Sequence, residues 1–129
     1  MTQNEKELLL KDLCSRLPHG VKFEHTDKHT LCEILSITPI YDYENVIYFN
    51  DYINHPKKCN IDDVKPYLFP LSSMTEEQRK EWQSLMIHDS YGILYPTIKS
   101  FDYLYKNHID INDLIPMGLA IDATNKNIY

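Results

Sequence analysis

The side chains best suited to hold a metal ion gather early in the chain. His25, His29 and Cys32 stand in the order H-x3-H-x2-C, with His55 or Cys59 as a distant fourth ligand. Zinc takes imidazole and thiolate ligands that converge tetrahedrally, and histidines at i and i+4 converge when they share a helix face. Residues 25–32 read instead as part of a hairpin, where that spacing brings nothing together. No C-x2-C pair anchors a site. Cys32 reads as a small core residue of a strand. The expectation is no metal ligand and no cofactor.

Nucleophilic and acid–base chemistry find equally little support. Ser72 and Ser73 precede a helix whose free amides could stabilise an oxyanion. There is no G-x-S-x-G elbow and no identifiable partner base. Asp62–Asp63, Glu76–Glu77 and the pair Asp110 and Asp113 supply carboxylates, but hydrolytic chemistry needs two of them at a fixed separation in a cleft. Glu76 and Glu77 read better as partners of a helix dipole, and Asp110 as the cap of a short turn. With three glycines in all, a Gly-rich phosphate cradle is excluded. No catalytic residue is assigned, and an enzyme of unknown reaction ranks third among the functional readings.

Tyrosine is the conspicuous residue, with ten copies against four phenylalanines and one tryptophan. Its apolar ring and polar tip serve both a core edge and a contact surface. Tyr41, Tyr43, Tyr48 and Tyr52 cluster in one stretch and form the candidate protein-contact surface. Exposed aromatics on a small curled sheet can also stack unpaired bases, and Lys57–Lys58 lie nearby. Asp42, Glu44 and Asp51 interleave with these tyrosines, however, and the net charge of −6 is spread along the chain without a basic stripe. A nucleic-acid-binding module is therefore the runner-up.

These side chains need elements to position them. A chain of 129 residues, 43% hydrophobic and 25% charged, fits one domain, 1–129, with a sheet part (1–70) and a helical part with a tail (71–129). Residues 3–17 read as an amphipathic helix, capped by Thr2 with Glu5 or Asn4 with Glu7, with Leu9, Leu10, Leu13, Cys14 and Leu17 on its apolar stripe. VKFEH (21–25), TLCEILSIT (30–38) and NVIYF (45–49) read as strands, with IDDVKPYLF (61–69) as a short fourth strand or a helical turn. Residues 50–60 read as an exposed loop. Thr75 and Gln78 form a capping box for a helix running to about His88, with Trp82, Leu85 and Met86 on its buried stripe. Another helix starts near Thr97, with Ile98, Phe101, Leu104, Tyr105 and His108 on one side. Residues 123–129 read as a weakly ordered tail. The expected fold is α+β: an N-terminal helix, a small antiparallel sheet of three or four strands, curled into an SH3-like barrel, and two C-terminal helices.

Three widely spaced cysteines give no disulfide framework. The N-terminal MTQNEKELLLKDL carries acidic residues and too short an apolar run for a signal peptide. No stretch approaches the roughly 20 apolar residues of a membrane span. A cytoplasmic protein without membrane contact is expected.

KPYLFPLSSMTEEQ (65–78) brackets bulky residues with two prolines before the capped helix, and reads as an extended seam between the two parts of the fold. With KELLLKDLCSRLPHGVKFE (6–24) and YKNHIDINDLIPMGLAID (105–122), it resembles a family of uncharacterised small proteins encoded by gut anaerobes of the Bacteroidales type and by their phages and prophages. The resemblance implies a setting, a small cytoplasmic protein of a mobile element, and no functional residue. The expected function is non-catalytic binding or regulation through protein–protein contacts, with an unidentified protein or a second copy of the chain as partner.

Overall fold

A computed structural model describes residues 1–39, 45–51 and 57–129. Helix α1 (Gln3–Arg16) starts on the Thr2–Glu5 capping box, each side chain bonding the other's backbone N–H. Gly20, in the left-handed region at φ 74°, turns the chain into the sheet. Strands β1 (Lys22–His25), β2 (Thr30–Pro39), β3 (Asn45–Asn50) and β4 (Lys57–Asn60) then form an antiparallel meander. A single 3-10 turn, Ile61–Asp63, leads into β5 (Val64–Pro70), which pairs antiparallel with β1.

The second half is built from short pieces. Helix α2 (Glu76–Ser84) begins on the Thr75–Gln78 capping box. Strands β6 (Ile87–His88) and β7 (Leu94–Tyr95) make a separate hairpin. Helix α3 (Ile98–Lys106) is capped by Thr97. Two-residue strands β8 (Ile109–Asp110) and β9 (Ile121–Asp122) then return to β5, and both pair with it in parallel.

The α+β class stands, and the finer expectation does not. Among the described residues the main sheet is mixed and seven-stranded, ordered β4-β3-β2-β1-β5-β8 with β9 also on β5, and it is not a barrel. Strands of two residues carry no readable alternation, so sequence periodicity could not find β8 and β9. The prolines of the seam sit inside β5 rather than on a connector leaving the sheet: Pro66 opposes Phe23, and Pro70 opposes Asp110. The expected loop at 50–60 yields strand β4 over its last four residues. The helix expected to reach His88 stops at Ser84.

What closes the fold is curvature. The β2–β3 register shifts between Ile34 and Ser36, and such a bulge bends the strand that carries it. The sheet curls around Leu9, Leu13, Phe23, Cys32, Ile34, Ile47, Phe49, Val64 and Leu68. Phe23 and Phe49 meet edge to face, with centroids 5.5 Å apart. A smaller cluster, Met74, Leu104 and Ile109 with Phe69 and Trp82 against it, joins α2 and α3 to the sheet. Leu114, Leu119 and Ala120 extend the main core from the C-terminal segment.

A buried ion pair ties the two halves together. Asp12 and Arg16 lie one turn apart on α1, fully enclosed. Arg16 Nη2 donates to Asp12 Oδ2 (3.0 Å) and to the carbonyl of Ile109 (2.7 Å), and Asn112 Nδ2 also donates to Asp12 Oδ2 (2.9 Å). The C-terminal segment is anchored, contrary to the weakly ordered tail expected there. Tyr129 stacks on His108 at 3.6 Å, its hydroxyl donates to the carbonyl of Tyr67 at 3.0 Å, and it accepts from the Lys22 N–H at 2.9 Å.

Candidate functional site

The residues singled out for chemistry disperse. His29, on the β1–β2 turn at φ 50°, is exposed and hydrogen-bonds Glu24 at 3.2 Å. Cys32 is buried in the core beside Thr30, and burial pushes its thiol up from the usual value. His25, His29 and Cys32 therefore do not converge, and His55 lies outside the described residues. Ser73 is exposed and donates to the carbonyl of Pro70 at 2.6 Å, which makes it a turn residue. Asp62 pairs with Lys6 at 3.2 Å. Asp110 caps the 113–117 turn, as its position suggested, accepting from the N–H groups of Leu114 (3.0 Å) and Ile115 (2.8 Å).

Cys59 is half-buried on β4. Burial, with Asp63 next in effect, pushes its thiol up to about 12. A nucleophilic cysteine needs the opposite, a neighbouring cation or helix N-terminus that favours the thiolate. The bare chain thus holds Cys59 as a neutral thiol.

Of the four tyrosines in the expected contact surface, Tyr41, Tyr43 and Tyr52 lie outside the described residues. Tyr48 is exposed on β3 and stands opposite Lys58 of β4.

The largest concentration of exposed apolar side chains lies elsewhere. Thirteen large apolar residues are exposed among the described residues, and six of them fall between 87 and 101: Ile87, Tyr91, Ile93, Tyr95, Ile98 and Phe101. Tyr91 and Ile98 are each 90% exposed. Local chemistry holds this segment in shape. Asp89 accepts from the N–H groups of Tyr91 and Ile93, both at 2.9 Å, in an Asx-type turn. Those bonds, led by the one from Ile93, keep its carboxyl below the usual carboxylate range. Gly92 at φ 78° completes the turn, and Tyr95 donates its hydroxyl to Asp89 at 3.2 Å. Ile87 and Tyr95 sit opposite each other across the hairpin. Thr97 Oγ1 donates to the Leu85 carbonyl at 2.5 Å, fixing the hairpin to the ends of both helices.

Beside this segment runs a groove of about 330 Å³, whose lining includes Leu71, Trp82, Phe101, Leu104, Ile111 and Ile115. Phe101 belongs to both groove and exposed segment. Helix α2 buries no residue fully, and Trp82 is only partly covered. Its indole N–H is nonetheless buried without a partner among the described residues. Tyr103 donates to Glu81 at 2.7 Å across the two helices, and burial with that bond pushes its phenol up to about 12. An apolar floor of this kind suits a peptide or loop that brings apolar side chains. The sequence placed Ile98 and Phe101 on the same helix face as Leu104, but periodicity does not say which part of a face finds a partner within the chain.

Comparison of the chain with protein-family models, with curated proteins and with solved structures gives no match.

Proposed function

We propose that this chain is a non-catalytic binding protein that acts through protein–protein contacts, and that a partner protein seats on the 87–101 hairpin, the face of α3 and the adjoining groove. The observation that carries this reading is the clustering of six of thirteen exposed large apolar side chains in that one segment. Scattered exposed apolar residues are ordinary, whereas a contiguous set marks an interaction surface. Tyr91 and Tyr95 are of the residue type that dominates binding energy at such surfaces. Among the described residues no helix is long and apolar enough to cross a membrane, which leaves this patch without a role as a spanning segment. In the mobile-element setting that the sequence resemblance implies, the partner is a host enzyme or defence factor, or a second copy of this chain.

The test is a tagged capture from host lysate, with and without nuclease, comparing the wild-type chain with the double variant Tyr91→Ser/Ile98→Asp. Both side chains are almost wholly exposed, so the variant should fold with an unchanged circular dichroism spectrum. The expected result is a protein retained by the wild type under both conditions and depleted roughly tenfold or more by the variant, about 1.4 kcal/mol of lost contact. Equal recovery by the two chains would reject this surface. Recovery that disappears with nuclease would favour the nucleic-acid reading.

A further inference from the structure

The fold brings His25 beside two side chains, Cys59 and Asp63, that lie four residues apart in the sequence. His25 ends β1, Cys59 lies in β4, and Asp63 closes the 3-10 turn between β4 and β5. Strands β1 and β4 are three places apart in the sheet order, a separation of roughly 14 Å if the sheet were flat. One ligand atom of each residue nevertheless lies within 4.8 Å of the other two. We propose that His25, Cys59 and Asp63 form a site for one divalent transition-metal ion of the zinc type.

The donor set is an imidazole nitrogen, a thiolate sulfur and a carboxylate oxygen, each a ligand that zinc accepts. Around a tetrahedral ion with bonds of ~2.0–2.3 Å, donors lie ~3.3–3.8 Å apart, so closure asks each side chain to shift by about an ångström or less. The backbone already holds the positions. The Thr26 N–H donates to the Asp63 carbonyl at 3.0 Å, His25 is in register with Val64, and Cys59 is in register with Ile47. Among the described residues no hydrogen bond links the three side chains to one another. Among the same residues Asp63 Oδ2 accepts one long bond, from the Asn60 N–H at 3.3 Å. His25 Nδ1 accepts an equally long one from the Asp27 N–H, which a metal ion on that nitrogen would displace.

The three donors open on a cavity of about 470 Å³, with Asp27 and Asn60 also on its wall. That leaves room for a fourth ligand, water or the Asp27 carboxylate. Lys28 and Lys58 stand at the rim and oppose a cation. Both are exposed, where solvent and salt screen them, whereas the thiolate and carboxylate would neutralise the ion directly. Binding releases the thiol proton to solvent as the sulfur–metal bond forms.

The full chain, stripped with chelator and kept reduced, is titrated with cobalt(II) chloride. The expected result is one equivalent bound, with a thiolate-to-cobalt charge-transfer band that zinc abolishes. Cys14→Ser should keep the band, Cys59→Ser should lose it, and Asp63→Asn should weaken binding by roughly tenfold or more, since even changes around a metal's ligands cost that much. Absence of the band in the folded wild type, or its survival in Cys59→Ser, overturns the proposal. A second measurement needs no variant: zinc should slow alkylation of Cys59 in the native chain while leaving exposed Cys14 unaffected. Equal Cys59 labelling with and without zinc also overturns it.

Discussion

Asp12→Ala should be among the most damaging single substitutions in this protein, for a reason that its partner makes plain. Arg16 is 0% exposed, and Asp12 is 1% exposed. Asp12 holds two of the guanidinium nitrogens, while Arg16 Nη1 has no partner among the described residues. Removing the carboxylate leaves a buried charge with, among the described residues, only the Ile109 carbonyl and the Tyr105 ring, 4.9 Å from its central carbon, to compensate it. Such an orphaned charge costs about 3–5 kcal/mol. Asn112 loses its acceptor as well. For a domain of this size that corresponds to a fall in Tm of roughly 10–20 °C. Replacing both partners with apolar residues of similar length, Asp12→Leu with Arg16→Met, removes the charge along with its counter-charge and should recover most of the loss. Urea unfolding followed by circular dichroism gives both values and their coupling. A cost below about 1 kcal/mol for Asp12→Ala, the range of an exposed pair, would refute the view that this pair is sealed from water.

Two further outcomes follow from single residues. Burial, with the Arg16 charge second, pulls the His108 imidazole down to about 4. The unfolded chain protonates His108 near 6.5, so this contribution is complete above about pH 6.5 and is lost as pH falls towards 4. Over that window the wild type should lose about 3 kcal/mol more than His108→Asn, a residue that tolerates the left-handed backbone at φ 59°. Parallel pH profiles for the two chains would remove His108 as the cause. Gly20→Ala should cost about 1–2 kcal/mol, because φ 74° strains any Cβ, and the new methyl would meet Glu33 Oε1 at 3.3 Å. A neutral or stabilising Gly20→Ala in the same unfolding assay would contradict that assignment.

The parts legible in the sequence are those written locally. Thr75 with Gln78 announced one helix start and Thr2 with Glu5 was one of two boxes offered for another, because a capping box is complete within four residues, whereas the cap at Thr97 was not read and only the helix start near it was. The first three strands showed their β character in short runs of branched and aromatic residues. Long-range pairing left no such trace. Nothing in Ile109–Asp110 or Ile121–Asp122 marks a strand until β5 is beside it. The stripe assigned to α1 was slightly misplaced: Cys14 is exposed, while Asp12 and Arg16 turn inward to each other. Charges at i and i+4 usually decorate a solvated face, so their burial shows only in tertiary structure. The same limit governs the sites. Cys59 and Asp63 stand four residues apart without a metal motif, and only the pairing of β1 with β5 brings His25 to them. For Tyr41, Tyr43 and Tyr52 the described residues give no test.

Strand β5 has a consequence for the timing of synthesis. Its parallel partners, at 109–110 and 121–122, are translated some forty to fifty residues after it. During that interval a ribosome-bound chain can complete the antiparallel meander, while β5 keeps unpaired backbone groups along its outer length. Pro66 and Pro70 sit within this strand and withhold two donors from any foreign strand adding there. The prolines that looked like punctuation in the sequence thus act as a guard on a nascent edge, until the late-arriving segments cover it.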